Sequence, residues 1–103
     1  MEQTIFQGST PVHEFALPFP TDLVENIVVT YEQGDAVVIE KKDNEIERDG
    51  YVIRVSLTQA ETLKFENGKM VKIQLKVKTN EGEVIPSEII YRRVSEVLNK
   101  EIL

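Results

Sequence analysis

The chain has one histidine, no cysteine and no tryptophan, so chemistry has few places to start. His13 lies in Val12-His13-Glu14-Phe15-Ala16-Leu17. Alternation there puts His13, Phe15 and Leu17 on one face and Val12, Glu14 and Ala16 on the other. A histidine sharing a face with Phe and Leu reads as a packed or rim residue, because a general base needs a second group within reach. A serine nucleophile would need an elbow of the Gly-x-Ser-x-Gly kind, and none occurs. Ser9 follows Gly8 but precedes Thr10-Pro11, which makes it a turn residue.

Asp43, Glu45, Glu47 and Asp49 alternate in D-N-E-I-E-R-D-G, a run of the hard oxygen donors that calcium prefers. The spacing lacks the glycine and terminal glutamate of an EF-hand loop, and Lys41, Lys42 and Arg48 dilute its charge. A solvated loop is therefore expected. Lys64, Lys69, Lys72, Lys76 and Lys78 make a basic stripe without interleaved aromatics, which reads as the wet outer face of a sheet. Scattered glycines offer no phosphate-cradling loop. These residues predict no enzyme, no cofactor and no metal.

The clearest element that could position anything is 70–79, M-V-K-I-Q-L-K-V-K-T. Val71, Ile73, Leu75 and Val77 alternate with Lys72, Gln74, Lys76 and Lys78, the period of a strand with one buried face. Turn residues flank it, Asn67-Gly68 before and Asn80-Glu81-Gly82 after. It is expected to be the central strand.

The rest is placed by how it covers that row. Residues 4–7 make a short first strand, and 12–17 a second that Pro18 and Pro20 close. Residues 27–31 and 36–41 form a hairpin across Gln33-Gly34-Asp35. Asp49-Gly50 turns the polar run 42–50 into 51–57, with Tyr51, Ile53, Val55 and Leu57 expected on the core face. Thr58-Gln59-Ala60-Glu61 matches a capping box and predicts a short helical turn over 58–65. Pro86 marks an edge or a bulge in the last strand, which is expected to run to about Tyr91. Ile90, Val94, Val97 and Leu98 fit a helical spacing, so a short helical or irregular tail is expected to follow. The pattern is all-β: one domain over 1–103, an immunoglobulin-like antiparallel β-sandwich of about seven strands.

Bulk properties narrow the partners. A net charge of −6 argues against nucleic acid, which selects clustered Lys and Arg. Nothing approaches the roughly 20 apolar residues of a membrane span, and M-E-Q-T-I-F-Q-G predicts no signal peptide. The lack of cysteine fits a reducing compartment. Val28, Val38 and Val52 fall on strand faces opposite the expected core residues, and Val94, Val97 and Leu98 lie near the end, with Ile102 beyond them. The five valines and Leu98 are the candidate protein-contact surface. Such a small apolar area predicts a monomer or weak homo-oligomer in isolation. A carbohydrate- or cell-wall-binding sandwich is the alternative; such sites stack aromatic rings, but Trp is absent and Tyr31, Tyr51, Tyr91 and the four Phe must also build the core.

Gly8-Ser9-Thr10-Pro11-Val12-His13-Glu14-Phe15-Ala16-Leu17-Pro18-Phe19 resembles the opening of small proteins encoded by phages and prophages of Gram-positive bacteria. Their pattern is a Gly-Thr-Thr-Pro start, a strand ending in Leu-Pro-Phe, and a hairpin around Tyr-x-Gln. Here Ser9 stands for the commoner Thr, Glu14 and Pro20 lie outside the pattern, and the turn is Tyr31-Glu32-Gln33-Gly34. Leu57-Thr58-Gln59-Ala60-Glu61-Thr62-Leu63-Lys64-Phe65, the strand Ile73-Gln74-Leu75-Lys76-Val77 and the closing Val97-Leu98 are similar to the group as well. The resemblance implies a phage structural protein of the tail or baseplate region, similar to the N-terminal sandwich domain of upper baseplate proteins. It implies a virion component made in the host cytoplasm, with other phage structural proteins as partners. It carries no catalytic residues.

Overall fold

The computed structural model describes residues 4–103; the start of the stretch read for a signal peptide, residues 1–3, lies outside it. In chain order the strands are β1 (Thr4–Phe6), β2 (Val12–Ala16), β3 (Val24–Gln33), β4 (Ala36–Lys42), β5 (Ile46–Asp49), β6 (Val52–Ser56), β7 (Val71–Thr79), β8 (Val84–Pro86) and β9 (Ile90–Ser95). One α-helical turn, α1 (Gln59–Thr62), separates β6 from β7. Short 3-10 turns precede β3 and β5. The larger sheet has the order β1-β9-β7-β3-β4 with β8 also on β7, and the smaller one the order β2-β6-β5. Together they make a small β-sandwich-like domain.

The alternation in β7 does what its sequence demands. Val71, Ile73, Leu75 and Val77 are all buried, and β7 is flanked by β3 on one side and by β8 and β9 on the other. On β3 the same parity turns Ile27, Val29, Tyr31 and Gln33 inward. Phe15, Ile53, Val55 and Leu57 of the smaller sheet and its flank close the core from the other side. Full burial of one such side chain is worth roughly 1.5–3 kcal/mol, so these facing rows hold the two layers together.

α1 carries the expected capping box. Glu61 N–H donates to Thr58 Oγ1 at 3.1 Å, and Thr58 N–H to Glu61 Oε1 at 2.8 Å. Lys41 Nζ reaches the same carboxylate at 2.7 Å. Buried Thr62 and Gln7 bond to the Ser9 and Phe65 carbonyls. The turn between the sheets is thus tied to its neighbours as well as capped.

Four expectations need correction. The polar run 42–50 contains a strand, β5: Ile46 enters the core, and Asp43 Oδ1 accepts from Ile27 N–H at 3.0 Å. Tyr51 is 56% exposed, because the turn through Gly50, at φ +60°, ends only at Val52. Its carbonyl accepts from Leu17 N–H instead. The last strand is two strands, since Ser87 interrupts it by spending its own N–H and Oγ on Leu75. Its second part runs to Ser95 rather than Tyr91. There β1 joins β9 in parallel, Ile5 opposite Val94, so one pair departs from an all-antiparallel sandwich. Beyond β9 the tail is irregular, one of the two forms expected.

Candidate functional site: the open side of the sandwich

β2 is an edge strand, paired among the described residues only with β6. Leu57 N–H donates to the Pro11 carbonyl and Leu17 N–H to the Tyr51 carbonyl. In an antiparallel ladder hydrogen-bonding pairs alternate, and the register pairs His13 with Val55 and Phe15 with Ile53. The backbone groups of Val12, Glu14 and Ala16 therefore point away from β6, out along an open edge. Prolines at 11 and 18 delimit this edge.

Between that edge and β7, β8 and β9 the two sheets part. At the Val12 end lies a cleft of about 370 Å³ lined by His13, Phe15, Ile73, Ile90 and Arg92. It shares Phe15 and Ile90 with a groove of about 410 Å³ running past Leu17, Phe19, Leu75 and Ile85. The groove is mostly hydrocarbon and the cleft holds the polar groups.

In the cleft, His13 Nδ1 lies 2.7 Å from Tyr31 Oη, and the two rings are 5.5 Å apart. Tyr31 is fully buried and packs its ring on Phe65. Burial, with the Glu61 charge, raises the phenol's pKa, so it stays protonated. Burial and the nearby Arg92 charge lower that of His13 and keep the imidazole neutral. The Tyr31–His13 bond ties up one ring nitrogen and satisfies the one polar atom of a core tyrosine.

Arg92 is the unusual member. β9 pairs with β7 so that Ile90 faces Ile73 and Arg92 faces Val71, which gives Arg92 the inward parity of Ile90 and Val94. Its Nη1 donates to the Tyr91 carbonyl at 2.9 Å, but its Nε is buried without a hydrogen-bond partner among the described residues. Glu14 supplies none: its carboxylate is on the outer face, where Arg54 Nε donates to it at 3.1 Å. Arg54 also holds Asp49 at 3.1 Å and lies 3.8 Å from Glu47. Two members of the acidic run, Glu47 and Asp49, thus share one arginine with Glu14. Chemically, the open side offers strand hydrogen-bonding groups, an apolar trough and one cation with an unmet N–H.

The residues expected to form a contact surface do not come together. Val28 lies on the outer face of the larger sheet, half-buried opposite Lys42 and Lys76. Val52 lies on the outer face of the smaller sheet, on the other side of the molecule. Val38 is the extra residue of a bulge: Tyr31 pairs with Ile39 and Glu32 with Val37. It packs against the core, and Val37 is turned outward at 56% exposure. Val94 belongs to the core outright. Val97 is half-buried, while Leu98 is 95% exposed.

Sequence reasoning missed Arg92 and Ile85. A signal for Arg92 was there: strand parity over Ile90-Tyr91-Arg92-Arg93-Val94 points Arg92 inward, whereas the helical spacing hides it. No protein-family model, no curated protein and no solved structure matches this chain.

Proposed function

We propose that this protein is a non-enzymatic assembly module of a phage particle, built into the tail or baseplate region by contacts with other structural proteins. The observation that carries the reading is the open side: an edge strand with unpaired backbone groups along an apolar groove, a recognition surface made for protein. The resemblance of residues 8–19, 31–34 and 57–65 to small phage proteins supplies the setting. Those segments have structural duties here. Tyr31 braces His13, Gln33 clamps residues 66–69, and Thr58 and Glu61 cap α1. Alone in solution the protein is a monomer or weak dimer, ordered into a ring or collar only within the particle.

The test is the composition of purified particles induced from the strain that encodes the protein. Mass spectrometry should find it there in fixed proportion to the tail proteins. Particles of full infectivity that lack it would overturn the reading. Exposed Tyr51 and Tyr91 keep a carbohydrate- or cell-wall-binding role as the competitor. Glycan-array binding that disappears in Tyr91→Ala would favour that role instead.

A further inference from the structure

Deepening the assembly reading, and resting on it, we propose that β2 receives an extended segment of a partner protein as an added antiparallel strand. That segment places a carboxylate at Arg92 and two apolar side chains in the groove beside Phe15, Leu17, Ile85 and Ile90.

Three observations converge on this occupant. First, the free edge. Val12, Glu14 and Ala16 turn their backbone groups outward, and a strand gains most from meeting such an edge in ladder register. The other long edge, β4, is blunted by the bulge at Val38 and by Lys41 and Lys42, devices that discourage strand addition. β2 carries no lysine and no bulge.

Second, the groove. Leu17, Phe19, Ile85 and Ile90 are only partly buried although they pack against the core. Side chains alternating along an added strand would enter beside them at every second residue.

Third, the cation. Arginine rarely points into a sandwich, and a buried Nε–H without a partner calls for an explanation. A carboxylate meets it best, because guanidinium and carboxylate form charge-assisted, often bidentate bonds. Glu14, the nearest acidic residue along β2, is already held by Arg54 on the other face. The overall charge of −6 opposes an acidic ligand only at long range, where salt screens it beyond about 8 Å.

Along β2 the Arg92 cleft lies at the Val12 end and the groove toward Leu17. An antiparallel guest therefore brings its apolar residues first and its acid last. The probe is acetyl-Thr-Val-Thr-Val-Thr-Glu-Thr-amide, with a second peptide that has Gln for Glu. Titrated into the isotope-labelled full chain, the Glu peptide should shift the amide resonances of Val12, Glu14 and Ala16. It should bind about ten-fold more tightly than the Gln peptide, roughly the effect of one charge-assisted bond at a half-exposed site. Arg92→Gln should abolish that difference. The peptide exchange tests the same contact on the unaltered protein should the variant fold poorly.

Equal affinity for the two peptides overturns the carboxylate assignment. No shift at millimolar peptide, or shifts along β4, overturns strand addition at β2. Concentration-dependent pairing of the protein with itself through β2, without peptide, makes a second copy the occupant and overturns the partner assignment. The particle experiment is independent. Protein present in particles with no peptide response defeats this inference alone, and peptide binding by a protein absent from particles defeats only the assembly reading.

Discussion

Replacing Gln33 by alanine should be among the more damaging single changes outside the apolar core. Gln33 ends β3 on its inward parity and is buried. Its Nε2 donates to the Glu66 carbonyl at 2.9 Å and to the Lys69 carbonyl at 3.2 Å, and its Oε1 accepts from Glu66 N–H at 2.8 Å. One side chain thus holds the loop that delivers the chain from α1 into β7. Each such bond contributes about 1 kcal/mol net, and a buried group left without a partner costs more. Glu66 and Lys69 are exposed at their side chains, so water can replace part of what is lost. The expected destabilisation of Gln33→Ala is about 2–3 kcal/mol, a large fraction of the ~5–15 kcal/mol typical of a domain. The corresponding fall in Tm is roughly 10–20 °C. Gln33→Glu separates the mechanism from mere loss of volume. It keeps the acceptor for Glu66 N–H but sets a carboxylate against two carbonyl oxygens, so it should be worse than alanine at pH 7 and recover part of its stability when acidified. Urea denaturation of the three proteins at pH 7 and pH 5 reads both effects. A Gln33→Ala change below about 0.5 kcal/mol, or a Gln33→Glu protein as stable as the parent at pH 7, would refute the clamp.

Three further substitutions test the burial and protonation assignments. Val28→Glu should alter stability by less than about 0.5 kcal/mol, since Val28 lies on the outer face opposite Lys42 and Lys76, which accommodate a carboxylate, whereas Val38→Glu should cost about 1–3 kcal/mol by removing methyl groups packed at the bulge; the opposite order in urea melts would place Val38 outward and Val28 in the core. For His13 the folded-state pKa lies below its ordinary value of 6.5, so the unfolded chain binds the extra proton first. Stability from this group is fully present above about pH 6.5 and is lost as pH falls toward the lowered folded value. Comparing the protein with His13→Gln between pH 7.5 and pH 5 isolates that loss, and parallel stability curves would show that His13 does not contribute it.

Much of the sandwich was legible because strands advertise themselves locally. The alternation of 70–79, the prolines closing β2, the turn signal at Gln33-Gly34-Asp35 and the Thr58–Glu61 capping box depend on neighbours within a few residues. Each appears in the structure where those neighbours require it. Gly34, at φ +59°, takes the first place of its turn, a position that side-chain-bearing residues resist.

What the sequence could not supply rests on contacts between distant residues. Ile46 alone did not announce β5, because a four-residue strand is held by its pairing to β6 and by Arg54 among the carboxylates of Glu14, Glu47 and Asp49. The last strand continued to Ser95 because β1, some ninety residues earlier in the chain, lies beside it. The bulge at Val38 shifted parity by one residue and exchanged the fates of Val37 and Val38, as any insertion in a period of two must.

By itself, then, the sequence determined the class of fold and most strand cores, since apolar period and turn chemistry are local physics. The open side was decided only by tertiary structure. Whether an edge is covered, whether two sheets close over it and whether an inward arginine finds a partner are properties of surfaces brought together from His13, Tyr31, Ile85 and Arg92. No spacing along the chain encodes that meeting.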